Sequence, residues 1–147
     1  MATSTTIDSG ATYDISAGQT DTGDSVLNGG TLNVDAGGAA SGTLVQGSET
    51  VSAGGADSTA TVVSGGVQQV YGSASGATVS SGGTQIVASG GTASDTVIQG
   101  GTLDLQAGGV LGGVGRSALP AAARWRWTVR RCRPRRSPAS GQAKRST

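Results

Sequence analysis

The acidic side chains are the first residues to examine for chemistry, because the sequence has no His. Without an imidazole there is no Ser-His-Asp arrangement, no histidine base and no histidine metal ligand. A polysaccharide lyase needs a basic residue to abstract a proton, yet every Lys and Arg lies between Arg116 and Arg145. The sequence therefore predicts that the chain is not an enzyme, with no catalytic residue and no cofactor.

A glycosidase would need two carboxylates about 5–10 Å apart. Asp14 and Asp104 share a position in the repeat described below, but about five coils of about 4.8 Å each separate them. The other candidates do not recur at one position: Asp35, Glu49, Asp57, Asp95 and Asp104. A fragment of a carbohydrate-active β-helix enzyme stays open as an alternative, which a bound sugar-cleavage product would favour.

Calcium binding is the second chemistry that carboxylates could support. Calcium-binding β-rolls repeat Gly-Gly-x-Gly-x-Asp with an aspartate at a fixed place in each turn, and no such string occurs. Asp57 and Asp95 are near turns, and we interpret both as solvated surface carboxylates. No metal ligand is predicted, and a secreted calcium-binding β-roll matrix protein remains an alternative that calcium-dependent folding would reveal.

Hydroxyl side chains recur in two series that could be O-glycosylation acceptors or simply outward strand residues. The first series precedes a set of apolar anchors and consists of Ser25, Thr43, Thr61, Thr78 and Thr96. The second lies near the turns and consists of Thr22, Ser41, Ser58, Ser75 and Ser94. Because side chains alternate along a strand, the first series should point outward if the anchors point inward.

The elements that position these residues are repeats marked by two interleaved series of apolar anchors. The first series is Ile15, Val34, Val51, Val70, Val87 and Leu105, and the second is Val26, Leu44, Val62, Val79 and Val97. Every anchor except Val70 has a glycine three residues later. Glycine adopts positive φ at a corner without a steric penalty, so the pattern predicts strand, glycine turn, strand, glycine turn.

Such two-strand units of about 18 residues cannot bury an apolar side alone, but stacked units can. The sequence therefore predicts an all-β fold, a β-solenoid resembling a parallel β-helix. We expect five to six coils between Ile7 and Val114, about 25–30 Å in length at the usual strand spacing. Both anchor series should lie inside, and Ser, Thr, Asn, Gln and Asp should cover the outside.

The composition changes abruptly near Gly115. Residues 1–115 hold all nine acidic residues, whereas residues 116–147 hold all ten basic ones and all three prolines. We expect two regions: a Gly-rich solenoid over 1–115 and a basic tail over 116–147 that is disordered or derived from a frameshift. The segment Arg124-Trp-Arg-Trp127 could stack on nucleic acid, but no known binding module is present and no specific nucleic acid is predicted.

The segment Gly82-Gly-Thr-Gln-Ile-Val-Ala-Ser-Gly-Gly-Thr-Ala-Ser-Asp-Thr-Val-Ile98 resembles the strand–loop–strand repeat of AIDA-type autotransporter passengers. The resemblance covers roughly Ile7 to Gly113. It implies a passenger displayed at a bacterial cell surface that mediates adhesion, self-association and biofilm formation. It also implies host or bacterial surface ligands, and a heptosyltransferase that glycosylates Ser and Thr in some members.

Two parts of that family's architecture are expected elsewhere or lost. Met1–Gly10 has neither the basic segment nor the apolar run of a secretory signal, and no stretch approaches the apolar length of a membrane helix. The resemblance thus implies an outer-membrane attachment only through a barrel domain, and it suggests a fragment or a degraded gene.

Overall fold

The chain is a β-solenoid. The computed structural model describes residues 2–113 and 126–127, and within them it contains parallel strands and no helix. About six turns follow one another at intervals of about 18 residues, as the sequence predicts. Each coil contributes one strand to each of three sheets, which we call A, B and C.

Sheet A contains the two-residue β1 and six strands of three residues: β1 Ala2–Thr3, β4 Thr20–Thr22, β7 Ala39–Ser41, β10 Ala56–Ser58, β13 Ser73–Ser75, β16 Thr92–Ser94 and β19 Val110–Gly112. Sheet B contains β2 Thr6–Ile7, β5 Ser25–Val26, β8 Leu44–Val45, β11 Thr61–Val62, β14 Thr78–Ser80 and β17 Val97–Gln99. Sheet C contains β3 Thr12–Ile15, β6 Thr31–Val34, β9 Ser48–Val51, β12 Val67–Val70, β15 Thr84–Val87, β18 Thr102–Leu105 and β20 Arg126–Trp127.

The apolar core consists of residues that stack in register on sheets B and C. On sheet C the first anchor series forms one continuous column. Its members from Ile15 to Val87 are buried, and Leu105 is half-buried. This confirms the predicted interior position of that series. On sheet B the buried column is Ile7, Val26, Val45, Val62, Val79 and Ile98.

Two predicted anchors of the second series are therefore wrong by one residue. Leu44 and Val97 are half-buried and occupy the outward rung, while Val45 and Ile98 point inward. The error comes from corners that are shorter than average. Val45 is followed by Gln46 and Gly47, whereas Val62 is followed by a four-residue corner, so a fixed distance to glycine selects the wrong member of an apolar pair.

Sheet A is formed by a third strand in each coil, whereas the sequence predicts only two strands per coil. From β4 to β16 its inward positions carry Asp21, Ala40, Asp57, Ala74 and Ala93. None of these is a large apolar residue, so these strands carry no apolar anchor in the sequence.

The C-terminal region is described only in part. Arg126–Trp127 form β20, which pairs in parallel with β18 and places Trp127 in register with Leu105. The expectations for the rest of the tail, disorder or a frameshift, fall on residues 114–125 and 128–147, outside the described residues. Among the described residues, no helix is long and apolar enough to cross a membrane.

Candidate functional site

The outer edge of sheet A carries a continuous column of hydroxyl groups. Thr22, Ser41, Ser58, Ser75 and Ser94 pair rung by rung in parallel register. Thr22 and Ser75 are exposed and the other three are half-buried. The strand spacing puts neighbouring hydroxyls about 4.8 Å apart. The second predicted hydroxyl series is therefore one regular array on one face.

The first predicted hydroxyl series is split between two columns. Ser25, Thr61 and Thr78 lie on the outward rung of sheet B and are half-buried, as expected. The rung between Ser25 and Thr61 is occupied by Leu44, and the rung after Thr78 by Val97.

Thr43 and Thr96 lie one residue earlier in their coils, before the sheet B strands. Thr43 is buried, and its hydroxyl has no hydrogen-bond partner. Thr96 is half-buried and donates to Gln85 Oε1 at 3.1 Å. The expectation that these two hydroxyls point outward is wrong, and the one-residue shift at Leu44 and Val97 is the reason.

The outward carboxylates lie far from one another, as the repeat register requires. Asp14 and Asp104 occupy one column of sheet C with four rungs between them. Asn33 is the neighbour of Asp14 on the next rung, and its amide donates to Asp14 Oδ1 at 2.8 Å. Asp35 and Asp95 are exposed, so the interpretation of Asp95 as a surface carboxylate is confirmed.

Inside the solenoid, polar side chains form a hydrogen-bonded ladder across successive coils. Gln68 Nε2 donates to Glu49 Oε2 at 2.9 Å and to Asp57 Oδ2 at 2.7 Å. Gln85 Nε2 donates to Gln68 Oε1 at 2.7 Å, and Thr96 donates to Gln85. The hydrogen bonds therefore run in one direction, from Thr96 through Gln85 and Gln68 to the carboxyl groups of Glu49 and Asp57.

Burial dominates the electrostatics of these two carboxyls. It raises the pKa of Glu49 well above its usual value, and the charge of Asp57 adds to the rise. Burial also raises the pKa of Asp57 to about 6, against hydrogen bonds from Gln68 and from the Ser58 backbone. One oxygen of each, Glu49 Oε1 and Asp57 Oδ1, is buried without a partner. Unpaired buried carboxylates are costly, which favours the protonated form.

The interpretation of Asp57 as a solvated surface residue is therefore wrong. Asp57 is the middle residue of β10, whose side chain points inward, and it is 3% exposed. The expectation that Gln covers the outside is also wrong for Gln68 and Gln85, and Glu49 is buried as well. Strand parity could have found them, because each lies two residues before an inward anchor and so shares its face.

Metal binding gains no site from this geometry. No group of three or more His, Cys, Asp or Glu among residues 2–113 and 126–127 is arranged to hold a metal ion. The outward columns of the described residues offer a partner mainly hydroxyl groups, with single amides such as those of Asn33 and Gln69 among them. Four of the described residues' nine carboxyl groups, those of Asp21, Asp24, Glu49 and Asp57, are buried.

Comparison with solved structures relates this architecture to a known protein. The chain is similar to the hyper-glycosylated TibA55-350 fragment, whose glycosylation is catalysed by TibC, with a TM-score of 0.64 and 29% sequence identity. The similarity covers 83% of this chain and 55% of the TibA fragment. It supports a passenger-like β-solenoid of the AIDA type and, in general terms, a surface repeat protein like the adhesins.

Comparisons by sequence add no family. No protein-family model matches the chain, and no curated protein matches it. The chain spans about half the length of the TibA fragment it resembles.

Proposed function

We propose that this chain is a passenger repeat region, displayed at a bacterial cell surface, that mediates adhesion and self-association. The observation that carries the proposal is the likeness to the TibA fragment over most of the chain. In this role the coils act as a rigid scaffold, and the outward columns of the three sheets are the contacting surface.

The regular outward columns support this role. On sheet A the hydroxyls from Thr22 to Ser94 repeat on every coil from the second to the sixth. A partner that also presents repeated groups can contact several rungs at once. Many weak contacts on one rigid body then give avidity without a single strong site.

We propose a structural role in preference to catalysis. The two carboxyls that share a hydrogen-bond donor, Glu49 and Asp57, are buried inside the solenoid. A polysaccharide could not reach them. Outward acids such as Asp14 and Asp104 are separated by the register, which favours a binding surface over a glycosidase site.

Self-association is tested with the purified 147-residue chain coupled to beads at one density. We expect these beads to clump, and free chain to show concentration-dependent mass in sedimentation equilibrium. Beads that carry an unrelated protein of similar size are the control. Dispersed beads together with a chain that stays monomeric at high concentration would contradict the proposal.

Two matched variants then locate the contacting face. The first adds negative charge to sheet A by changing Ser41, Ser58, Ser75 and Ser94 to Asp. The second adds the same charge to the outer face of sheet C by changing Thr31, Ser48, Thr84 and Thr102 to Asp. If copies associate through sheet A, the first variant should disperse the beads and the second should not. Equal effects of both would indicate a general charge effect.

A glycosyltransferase is the proposed modifying partner, since the TibA fragment is modified by TibC. The acceptors we propose are the outward hydroxyls: Ser25, Thr61, Thr78, Ser41, Ser58, Ser75 and Ser94. Thr43 and Thr96 are excluded by their inward positions in the folded chain. Coexpression with TibC followed by mass-spectrometric site mapping tests this: sugar on the outward set supports it, and an unmodified chain contradicts it.

A further inference from the structure

Among the residues that the structure describes, the buried carboxyl groups of Glu49 and Asp57 have no cationic partner. The first 115 residues contain no Lys, Arg or His, so a neighbouring coil cannot supply a counter-ion. Glu49 is fully buried and Asp57 nearly so. Two ionised carboxylates in such a place would repel each other without compensation, and like-charged pairs at short distance do not both ionise.

The hydrogen bonds give a second reason to place a proton on one of the two carboxyls. The Gln68 amide has two hydrogens, and both are used, one on each carboxyl. The remaining oxygens, Glu49 Oε1 and Asp57 Oδ1, are buried acceptors without a donor. Buried polar atoms are nearly always hydrogen-bonded. A proton on one carboxyl would neutralise the charge of that group and would supply one of the missing hydrogen-bond donors.

We infer that Glu49 and Asp57 hold one proton between them in the folded chain, and that this proton makes the central coils a pH-sensitive clamp. Glu49 belongs to β9, Asp57 and Gln68 to one coil with β10 and β12, and Gln85 to β15. The proton therefore completes a ladder that joins three successive coils. Its loss leaves a second buried negative charge in that ladder.

The direction of the pH effect follows from linkage. A carboxyl that binds its proton more tightly in the folded chain contributes its full stability below the pKa of the unfolded chain, about 4. That contribution is lost as the pH rises through the folded value, which is about 6 for Asp57 and is also raised for Glu49. Stability should thus decrease from about pH 4 upward through neutral pH.

Other titratable groups face the pair from the preceding coils and act in the same direction. Asp24 lies near Glu49, and its charge raises the pKa of Glu49 further. Burial raises the pKa of Asp24 itself, and Asp21 beside it adds to the rise. Tyr13 interacts with Asp21, which raises the pKa of Tyr13. Variants of Glu49 and Asp57 are therefore needed to assign the effect to the pair.

The test is urea denaturation of the full chain at a series of pH values from about 4 to about 8. Over the pH range in which the folded chain binds one proton more than the unfolded chain, we expect the unfolding equilibrium constant of wild type to increase about tenfold per pH unit. In the double variant Glu49→Gln/Asp57→Asn this dependence should be much weaker, because neither ionisable group of the pair remains, whereas burial of the remaining carboxyl should keep part of it in either single variant. Asp35→Asn, which changes an exposed aspartate, should keep the wild-type dependence.

A direct measurement on the wild-type chain covers the case in which a variant does not fold. In carbon-13 NMR with labelled carboxyl carbons, the Glu49 and Asp57 signals should titrate together, with one proton still bound near neutral pH. Independent titration of both at ordinary acid values would overturn the inference, as would a pH dependence in the double variant equal to that of wild type. A loss of the pH dependence in millimolar calcium chloride or potassium chloride would also overturn the inference, because it would indicate that a cation inside the solenoid replaces the proton.

Discussion

Two consecutive glycines at a corner of this solenoid have different physical roles. Gly90 has a φ of 85°, and a Cβ added there would contact nothing. Gly91 has an ordinary φ, but its Cβ would overlap the carbonyl oxygen of Val70 on the preceding coil. The first glycine thus permits the turn, and the second permits the close stacking of coils.

This difference predicts unequal costs for alanine at the two positions. Gly90→Ala should reduce the free energy of unfolding by about 1 kcal/mol, because only left-handed backbone strain is added. Gly91→Ala should reduce it by about 3 kcal/mol, because the coil below cannot move aside without breaking its own ladder. Urea denaturation of both variants compares the two. Equal losses would show that stacking distance does not limit the corner.

At this scale the sequence predicts the turn glycines well and the buried polar residues poorly. Of the ten glycines that follow an anchor by three residues, all but Gly47 have positive φ. Gly47 lies at a shortened corner, where its Cβ would overlap backbone carbonyls of the previous coil. The hydrogen-bond partner of Glu49, Gln68, comes from the next coil, so no local pattern shows that its carboxyl has a donor inside.

At the scale of single strands, side-chain size decides which elements a sequence reveals. Strands of sheet C such as β15, with the sequence Thr-Gln-Ile-Val, are rich in β-branched residues and are predicted. The strands of sheet A from β4 to β16 carry no large apolar residue, and β16, for example, has the sequence Thr-Ala-Ser. Their strand conformation comes from pairing with the coils on either side, which is information that a single coil does not contain.

The one-residue shift on sheet B gives a prediction for a neighbouring pair. Val45 is fully buried and Leu44 is half-buried on the outward rung. Val45→Thr should lower the free energy of unfolding by about 1–3 kcal/mol, because it puts a hydroxyl among Val26 and Val62. Leu44→Thr should change it by no more than about 0.5 kcal/mol. Denaturation in urea measures both, and the reverse order would restore Leu44 as the interior residue.

Over the whole molecule, each coil contacts mainly the coils next to it, so stability is close to a sum over neighbours. No column of the described strands carries an aspartate on every rung. The inward column of sheet A, for example, alternates between Asp21, Ala40 and Asp57. A metal ion repeated in each turn, as in a β-roll, would need a ligand on each rung.

Removal of divalent metal should accordingly leave the chain folded. We expect a chelator to change neither the β-sheet circular dichroism signal nor the melting temperature. Samples prepared with added calcium serve as the comparison. A large loss of β signal in chelator, recovered with calcium, would favour the calcium-binding β-roll instead.

Neighbour-limited stacking also predicts that the solenoid tolerates the loss of one whole coil but not of part of one. Deletion of residues 67–83 removes β12, β13 and β14 and joins Gly66 to Thr84. Because Thr84 pairs with Val67 in register, β15 can then take the place of β12 on β9. Gln85 would stack on Glu49, and Val87 on Val51.

The matched control deletes residues 67–75, which removes β12 and β13 and brings a sheet B strand to a sheet C position. We expect the whole-coil variant to keep a cooperative melt, at a lower temperature because one interface fewer stabilises it. It should also keep the wild-type fall in stability with rising pH, since Gln85 replaces Gln68 as the donor to the carboxyl pair. The control should lose β signal, because its apolar anchors no longer meet those of the next coil. If both deletions unfold the chain, coupling extends beyond neighbouring coils; if both fold equally well, register along the columns does not determine the fold.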